Sequence, residues 1–333
     1  MSNGLRLRTL AVIAGAALVT TACGASDTEN SASSASSGPV SGVSFLVPNS
    51  AGSGYDKTAR VAAKAMEDAG LASGFQVSNV AGAGGTVGLQ RLVNEKGNGK
   101  MLMQMGLGVV GAEYTNKSKA TLADTTPIAK LIEEAEAIVV PKDSPYKDLN
   151  ALVTAWKADP GKVPVGGASN PGGPDHLTPM LVATAVGLDP KTVNYVAYDG
   201  GGELLAGLLG NKVAFAATGV GEVAEQAKAG EVRILGVTSE KKVEGVDAPT
   251  LTEAGVDMVF TNWRGIVAPP QISQADKDEL VGLVEQMHGS EAWKKALTDQ
   301  GWTDSFVAGD EFGSFLTEES SRVKGVLAEL GLA

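Results

Sequence analysis

Three glycine-rich loops, each predicted to join a strand to the helix that follows it, constrain this chain more than any other feature. They are Pro48–Asp56, Asn79–Thr86 and Gly166–Asp175. Glycine lets the backbone turn tightly and approach a ligand closely. A helix that begins just after such a loop directs free N–H groups and a partial positive charge at whatever lies there. The loops therefore predict an anion site, most simply for a carboxylate.

Short apolar runs alternate with helical patterns from Val43 onward, which is typical of an α/β fold. Pro141 and Pro145 interrupt a first series, and a second series follows them. The extended segment Val259–Ala268 then leads into a largely helical C-terminal part. Two extended crossings, near residues 140 and 262, predict two lobes joined by a two-strand hinge. Lobe 1 is expected to contain residues 43–139 and 263–333, and lobe 2 residues 140–262.

Some local predictions bear directly on the site. Asp56 is expected to be the N-cap of a helix that runs to Ala69, because Asp is favoured at that position. Apolar runs predict two separate strands at Ile128–Leu131 and Ala137–Val140. The last part of the chain is predicted as helices at Gln274–His288, Glu291–Asp299 and Asp310–Leu330.

The first 22 residues have the pattern of a bacterial lipoprotein signal peptide. Arg6 and Arg8 precede an apolar stretch, Leu10–Val19, that is shorter than the ~20 residues of a membrane span. Cys23, the single cysteine, follows a small residue and is the expected lipidation site. Residues 23–42 are expected to be a flexible tether, because residues 28–39 are rich in Ser, Ala and Gly. The alternative is an ordinary secretory peptide cleaved elsewhere.

The net charge argues against nucleic acid as a partner. It is −11 for the whole chain and −13 (−11 minus 2) once the signal peptide, with its two arginines, is removed. An anion site must therefore be built locally, from backbone dipoles, against the overall field. About 290 residues follow the tether (333 minus 42), enough for two medium domains.

Metal and cofactor sites are not expected. The two histidines, His176 and His288, do not belong to a metal-spaced cluster, and lipidation leaves no free cysteine. A dinucleotide loop needs G-x-G-x-x-G, but position 87 is Val and the third glycine, Gly88, comes one place late.

An ordered series of motifs resembles the periplasmic substrate-binding proteins of tripartite tricarboxylate transporters, the Bug family. The matching stretches are Val47–Arg60, Asn79–Gly88, Val165–Leu177, Tyr198–Gly210, Pro249–Gly255 and Trp263–Pro269. The resemblance implies a two-lobed, type II periplasmic-binding-protein architecture that closes over its ligand like a flytrap. It implies a receptor without catalysis or cofactor that passes a small carboxylate to a permease of one large and one small subunit. Lipid-anchored relatives imply a position on the outer face of the cell membrane.

Seventeen residues are predicted to bind the ligand. They are Ser50, Gly52, Ser53, Gly54, Tyr55, Gly82, Gly84, Gly85, Thr86, Ser169, Asn170, Gly172, Gly173, His176, Tyr198, Asp199 and Thr218. Asp175 is expected to be a helix N-cap. If it faces the cleft instead, it would hold an ammonium group and disfavour a second carboxylate by repulsion.

Positive side chains near the loops are few, which favours a mono- or dicarboxylate over a tricarboxylate. Lys57 is expected to face solvent, Arg60 to pair with an acid, and Arg264 lies in the second crossing. A bound cation would reverse this argument. Two other functions stay open: an exported α/β hydrolase, and a subunit that presents its ligand to a membrane sensor kinase.

Overall fold

Helices and strands alternate throughout residues 38–333, the part of the chain that this computed structural model describes. The expected signal peptide, Cys23 and residues 24–37 of the expected tether lie outside the described residues. Within the described part, no helix combines the length and the apolar character that crossing a bilayer requires.

Most strands of the described residues belong to one mixed sheet. The strands are β1 Val40–Ser41, β2 Ser44–Val47, β3 Ala72–Ser73, β4 Gln76–Asn79, β5 Met101–Gly106, β6 Thr126–Pro141, β7 Val165–Gly167, β8 Tyr195–Ala197, β9 Phe215–Gly219, β10 Val232–Val237, β11 Thr261–Ala268 and β12 Thr303–Ala308. The order in the sheet is β4-β2-β5-β11-β6-β9-β7-β8, with β10 and β12 also paired to β6, while β1 pairs with β3 separately.

The helices fill the connections between these strands. They are α1 Gly54–Asp68, α2 Thr86–Asn94, α3 Leu107–Thr115, α4 Leu149–Ala158, α5 Pro174–Ala185, α6 Gly201–Leu209, α7 Val220–Lys228, α8 Gln274–Gly289, α9 Glu291–Gln300 and α10 Gly309–Glu329. The predicted N-cap at Asp56 is wrong, because Ser53 caps α1 and its Oγ accepts a hydrogen bond from the Asp56 N–H at 3.3 Å.

Strand β6 joins the two halves of the sheet. Its residues 126–135 pair with β11, and its residues 136–141 pair with β9 and β10. The prediction of two separate strands here is wrong, because charged residues such as Glu134 and Glu136 interrupt the apolar pattern without interrupting the strand. Both carboxylates are buried in the sheet.

Strand directions bring the candidate loops to the same edge. Strand β2 is parallel to β4 and β5, and β7 is parallel to β8 and β9. Ligands of open α/β sheets bind beyond the carboxyl ends of such strands. The loops after β2, β4, β7 and β8 all leave from carboxyl ends, so the topology suits a shared site.

The buried core divides in the same way as the sheet. Two clusters consist mainly of the N- and C-terminal parts of the described chain and contain Phe45, Trp293 and Phe312, and the second of them also contains Leu177 and Phe260. Two others consist of the middle part and contain Trp156 and Phe215. Each half of the sheet therefore has its own core, and helix α5 also contributes Leu177 to the core of the other half.

The sequence patterns missed helix α3 and strand β12. Helix α3 contains Gly108 and Gly111, and glycine disfavours an isolated helix by about 1 kcal/mol relative to alanine. Burial compensates, because most of this helix is packed inside the protein. Strand β12 pairs with β6 with an irregular register between Asp304 and Val307, so a clean alternating pattern is absent from its sequence.

Candidate functional site

A cavity of about 310 Å³ lies where loops from the two halves of the sheet meet. Loops after β2, β4, β7 and β8 line it together with residues of β11. The predicted site residues that line it are Ser50, Ser53, Gly54, Tyr55, Gly82, Gly84, Gly85, Ser169, Asn170, Gly173, Tyr198 and Asp199. The predicted residues outside the lining are Gly52, Thr86, Gly172, His176 and Thr218. Ligand contact by any of them stays a prediction.

The loop between β2 and α1 is held by Asp56. Its carboxylate accepts hydrogen bonds from the Gly52 N–H at 2.9 Å and from Asn79 Nδ2 at 3.0 Å, and it forms an ion pair with Arg60 at 3.0 Å. Burial acts to raise the pKa of Asp56, but hydrogen bonds from Arg60, Gly52 and Asn79 lower it below its usual value. Asp56 stays ionised and braces the loop, and Gly52 acts as part of that brace.

The first turn of α1 faces the cavity through Gly54 and Tyr55. The first N–H groups of a helix have no intrahelical acceptor. The phenol of Tyr55 lies against Gly108 and Val109 at the start of α3, and burial raises its pKa to about 12. Tyr55 is therefore a neutral, fixed wall of the cavity.

The loop between β4 and α2 needs its glycines. Gly82, Gly84 and Gly85 have φ angles of 141°, 63° and 101°, in the left-handed region that L side chains rarely adopt. A Cβ on Gly84 would lie 2.7 Å from Ala112 Cβ and 3.6 Å from Asn170 Cβ. The predicted donor Thr86 is instead engaged with its own turn, since its Oγ1 donates to the Ala83 carbonyl at 3.0 Å.

The loop between β7 and α5 is tied down by Asp175. The predicted N-cap role is wrong, because Gly173 is the N-cap of α5. Asp175 Oδ2 accepts from the Ala168 N–H at 2.7 Å, and Oδ1 accepts from Ser169 Oγ at 2.8 Å. The carboxylate lines the cavity and is 6% exposed, and burial raises its pKa to about 6.

His176 braces the same loop from behind. Its Nδ1 accepts from the Gly172 N–H at 3.2 Å, and its ring packs edge-on against Tyr195, with centroids 4.8 Å apart. Burial lowers the pKa of His176 to about 4, so the ring is neutral at neutral pH. The Tyr195 hydroxyl donates to the Ser169 carbonyl at 2.7 Å. These contacts hold Ser169 in the cavity wall.

The charged part of the cavity was not predicted as a site. Arg264 of β11 lines it, is 3% exposed, and forms an ion pair with Glu134 of β6 at 2.7 Å. Glu222 of α7 also lines it, and its Oε2 accepts from Thr218 Oγ1 at 3.1 Å. Thr218 is thus behind the wall and orients Glu222.

Burial raises the pKa of Glu222 to about 7, and the neighbouring charges of Asp175 and Glu134 add to the rise while Arg264 opposes it. Burial likewise raises the pKa of Glu136 well above its usual value. The cavity therefore combines uncharged glycine loops with a region where carboxyl groups outnumber the one lining arginine.

Two further predictions concern charged residues. Arg60 pairs with an acid, as expected. Lys57 is half-buried rather than solvent-facing, and its Nζ donates to the Gly221 carbonyl at 3.3 Å.

Within residues 38–333, no group of three or more His, Cys, Asp or Glu side chains is arranged to hold a metal ion.

Sequence comparison decides the family. The model of the tripartite tricarboxylate transporter family receptor matches residues 58–332, more than half of the chain. The chain belongs to this receptor family. Its members are solute-binding receptors that act outside the cytoplasm, so the chain is an extracytoplasmic solute-binding receptor.

Known relatives are similar to this chain over nearly the whole of its described part. BugT of Bordetella pertussis is 27% identical over 304 residues, which cover 90% of this chain and 92% of BugT. MatC of Rhodopseudomonas palustris, solved with bound malate, is similar with a TM-score of 0.75 at 23% identity, over 87% of this chain and 99% of MatC. A second R. palustris protein, solved with adipate, has a TM-score of 0.79 at 22% identity, over 88% and 98% of the chains. The predicted two-lobed, type II periplasmic-binding-protein fold is confirmed.

Proposed function

We propose that this receptor captures a small organic carboxylate between its two lobes and delivers it to a tripartite tricarboxylate-type permease with one large and one small membrane subunit. The convergence of glycine-rich loops from both halves of the sheet on one cavity carries the proposal. The malate and adipate of the two R. palustris structures support a carboxylate ligand, since both compounds are dicarboxylates.

Neutral donors suit a carboxylate at this site. The start of α1 at Gly54 offers N–H groups and the positive end of a helix dipole. Backbone with left-handed φ angles from Gly82 to Gly85 comes close to the cavity on another side. The Asn170 amide adds a side-chain donor from the loop after β7, where the Ser169 hydroxyl already donates to Asp175. An anion is held in this way without a lysine.

We assign residues 43–139 and 263–333 to lobe 1 and residues 140–262 to lobe 2. The division of the buried core into clusters supports this assignment away from strand β6, whose residues Ala135, Ala137 and Val139 pack in a cluster of lobe 2. Hydrogen bonds that cross between these lobes at the cleft include Lys57 Nζ to the Gly221 carbonyl at 3.3 Å, the Gly221 N–H to Glu134 Oε1 at 2.8 Å, and Thr115 Oγ1 to the Pro171 carbonyl at 3.1 Å. A ligand held by both lobes favours the closed form, because the open form lacks half of its contacts.

The receptor is proposed to be anchored to the outer face of the cell membrane through a lipidated Cys23. The sequence of residues 1–23 supports this proposal. A Cys23→Ala variant expressed in the native host is expected to leave the membrane fraction and appear in the soluble extracytoplasmic fraction. Unchanged membrane association of that variant would contradict lipid anchoring.

Binding is tested with a panel of mono-, di- and tricarboxylates in thermal-shift assays, with and without Mg²⁺ or Ca²⁺. A mono- or dicarboxylate is expected to raise the melting temperature without a metal, and calorimetry then gives its Kd. The ligand should be recovered chemically unchanged after prolonged incubation. A panel in which no carboxylate binds would contradict the proposal, and conversion of the bound acid would favour the hydrolase alternative.

A further inference from the structure

The residues that line the cavity differ in charge from one part to another. The loop 81–85, together with Ser169 and Asn170, is uncharged. Around Gly54 the lining is charged, since a Cβ built on Gly54 would lie 2.9 Å from Glu222 Oε1 and would overlap the Arg264 guanidinium. A ligand that fills the cavity therefore meets neutral donors in one part and ionisable groups in the other.

The single arginine of the lining is already neutralised. Arg264 Nη2 lies 2.7 Å from Glu134 Oε2, and Arg264 Nη1 donates to Thr58 Oγ1 at 3.1 Å. Lys57 bonds the Gly221 carbonyl and does not line the cavity. A second carboxylate of a ligand would therefore find no free cation among the described lining residues.

Side-chain oxygens that can accept hydrogen bonds, in contrast, outnumber the cationic groups in and around the cavity. Glu222 and Asp175 both line the cavity, and Glu134 and Glu136 lie close enough to act on their charges. Asn262 of β11 is 4% exposed and also lines the cavity, and within the described residues its Oδ1 has no hydrogen-bond partner. Carboxylate and amide oxygens are the partners that the three N–H donors of an ammonium group require.

We infer that the natural ligand is a zwitterion, a carboxylate that also carries a cationic nitrogen, and that Glu222, Asp175 and Asn262 hold the nitrogen while the loop 81–85 and Asn170 hold the carboxylate. The inference rests on the proposed carboxylate-receptor function and specifies its substrate class. Arg264 serves as a fixed counter-charge for Glu134. It is not a clamp for the ligand.

Electrostatics distinguish this ligand class from a dicarboxylate. A cation beside Glu222 favours the ionised carboxylate, and an anion beside it favours the protonated form. Burial raises the pKa of Glu222 to about 7, and Asp175, Glu134 and Arg264 are the charged groups that act on it. Glu136 is buried close by, Asp199 lines the same cavity, and Lys57 donates to the neighbouring Gly221 carbonyl. Affinity for a zwitterion should therefore rise between pH 6 and pH 8, whereas affinity for a dicarboxylate should fall.

Three matched pairs of compounds test the inference by calorimetry: succinate with 3-aminopropanoate, glutarate with 4-aminobutanoate, and adipate with 5-aminopentanoate. Within each pair an ammonium group replaces one carboxylate. The tightest binder is expected to be an amino member, at least tenfold tighter than its dicarboxylate partner at pH 8.

Variants of helix α7 test whether Glu222 is responsible for the preference for the amino member. Glu222→Gln should weaken the amino member at least tenfold and leave its dicarboxylate partner equal or tighter. Glu225→Gln is the matched control, because the Glu225 side chain lies on the same helix and is 81% exposed; both affinities should stay within twofold of wild type. The pH profile of the unaltered protein gives the same answer if Glu222→Gln does not fold.

Two outcomes are distinguishable. If each dicarboxylate binds more tightly than its amino partner, or if affinity for the amino members fails to rise from pH 6 to pH 8, the zwitterion inference is overturned and the carboxylate receptor stands. If neither series nor the wider organic-acid panel binds, the proposed function itself is overturned along with it.

Discussion

Replacing Gly84 with alanine should weaken carboxylate binding at least tenfold. Gly84 has a φ of 63° and lines the cavity, and its new Cβ would lie 2.7 Å from Ala112 Cβ. Non-bonded carbons prefer about 3.5–4.0 Å. The loop at residues 82–85 must therefore retreat by roughly 1 Å, which moves its N–H groups away from the ligand.

The size of the effect follows from the hydrogen bonds that are lost. Hydrogen bonds to a charged group contribute about 1.5–3 kcal/mol each. Loss of one such bond corresponds to roughly a 10- to 150-fold increase in Kd, at about 1.4 kcal/mol per factor of ten. The left-handed conformation itself costs a non-glycine residue about 1–2 kcal/mol. That strain is present in both the free and the bound receptor, so it lowers stability without changing Kd.

Gly74 provides the matched control. Its φ is 71°, and a Cβ built on it has no atom within 4 Å. Gly74→Ala should lower the free energy of unfolding through the same backbone strain, and it should leave Kd unchanged because it removes no contact to the cavity. Comparison of the two variants separates strain from displacement of the loop.

The assay is calorimetric titration with the tightest acid of the panel, with denaturant unfolding of both variants measured in the same buffer. A Gly84→Ala variant whose Kd stays within twofold of wild type, at a stability comparable to that of Gly74→Ala, would refute the reasoning. The loop 82–85 would then have no part in ligand binding.

Three further results are expected. Gly111→Val should raise Kd at least tenfold and abolish ligand-induced compaction in X-ray scattering, because a Cβ on Gly111 would overlap the Gly172 carbonyl across the proposed lobe boundary; normal compaction would contradict this. Arg264→Met should destabilise the protein by about 3–5 kcal/mol in denaturant unfolding, since it leaves the buried Glu134 without its partner; a loss below about 1 kcal/mol, typical of an exposed pair, would contradict it. Because burial raises the pKa of Glu222 from 4.5 to about 7, the folded protein binds this proton more tightly than the unfolded chain, so the free energy of unfolding of the ligand-free receptor should fall as pH rises through this range. Glu222→Gln should flatten that slope, and an unchanged slope would assign it to other groups.

The glycine loops could be predicted from the sequence because backbone at positive φ favours glycine, and clustered glycines are visible in the sequence itself. Gly82, Gly84 and Gly85 stand in such conformations and line the cavity. The general course of strands and helices was also predictable, since apolar periodicity reports burial. Helix α3 was not, because it is stabilised by tertiary packing and its sequence has weak helical propensity.

The charged part of the cavity could not be predicted, because it depends on pairing between distant elements. Glu134, Glu222 and Arg264 come from β6, α7 and β11, and no sequence spacing relates them. Asp175 illustrates the same difficulty at short range. Its position at a helix start suggested a cap, whereas its carboxylate binds Ala168 and Ser169 of the preceding loop.

The measurement that tests the central claim most directly is a crystal structure of the receptor with the tightest-binding acid of the panel. The claim predicts the ligand in the cavity, with a carboxylate oxygen within about 3.2 Å of N–H or hydroxyl donors from both the loop 82–85 and the loop at Ser169. Contacts to loops of one half of the sheet only, or an acid bound outside the cavity, would contradict capture between two lobes.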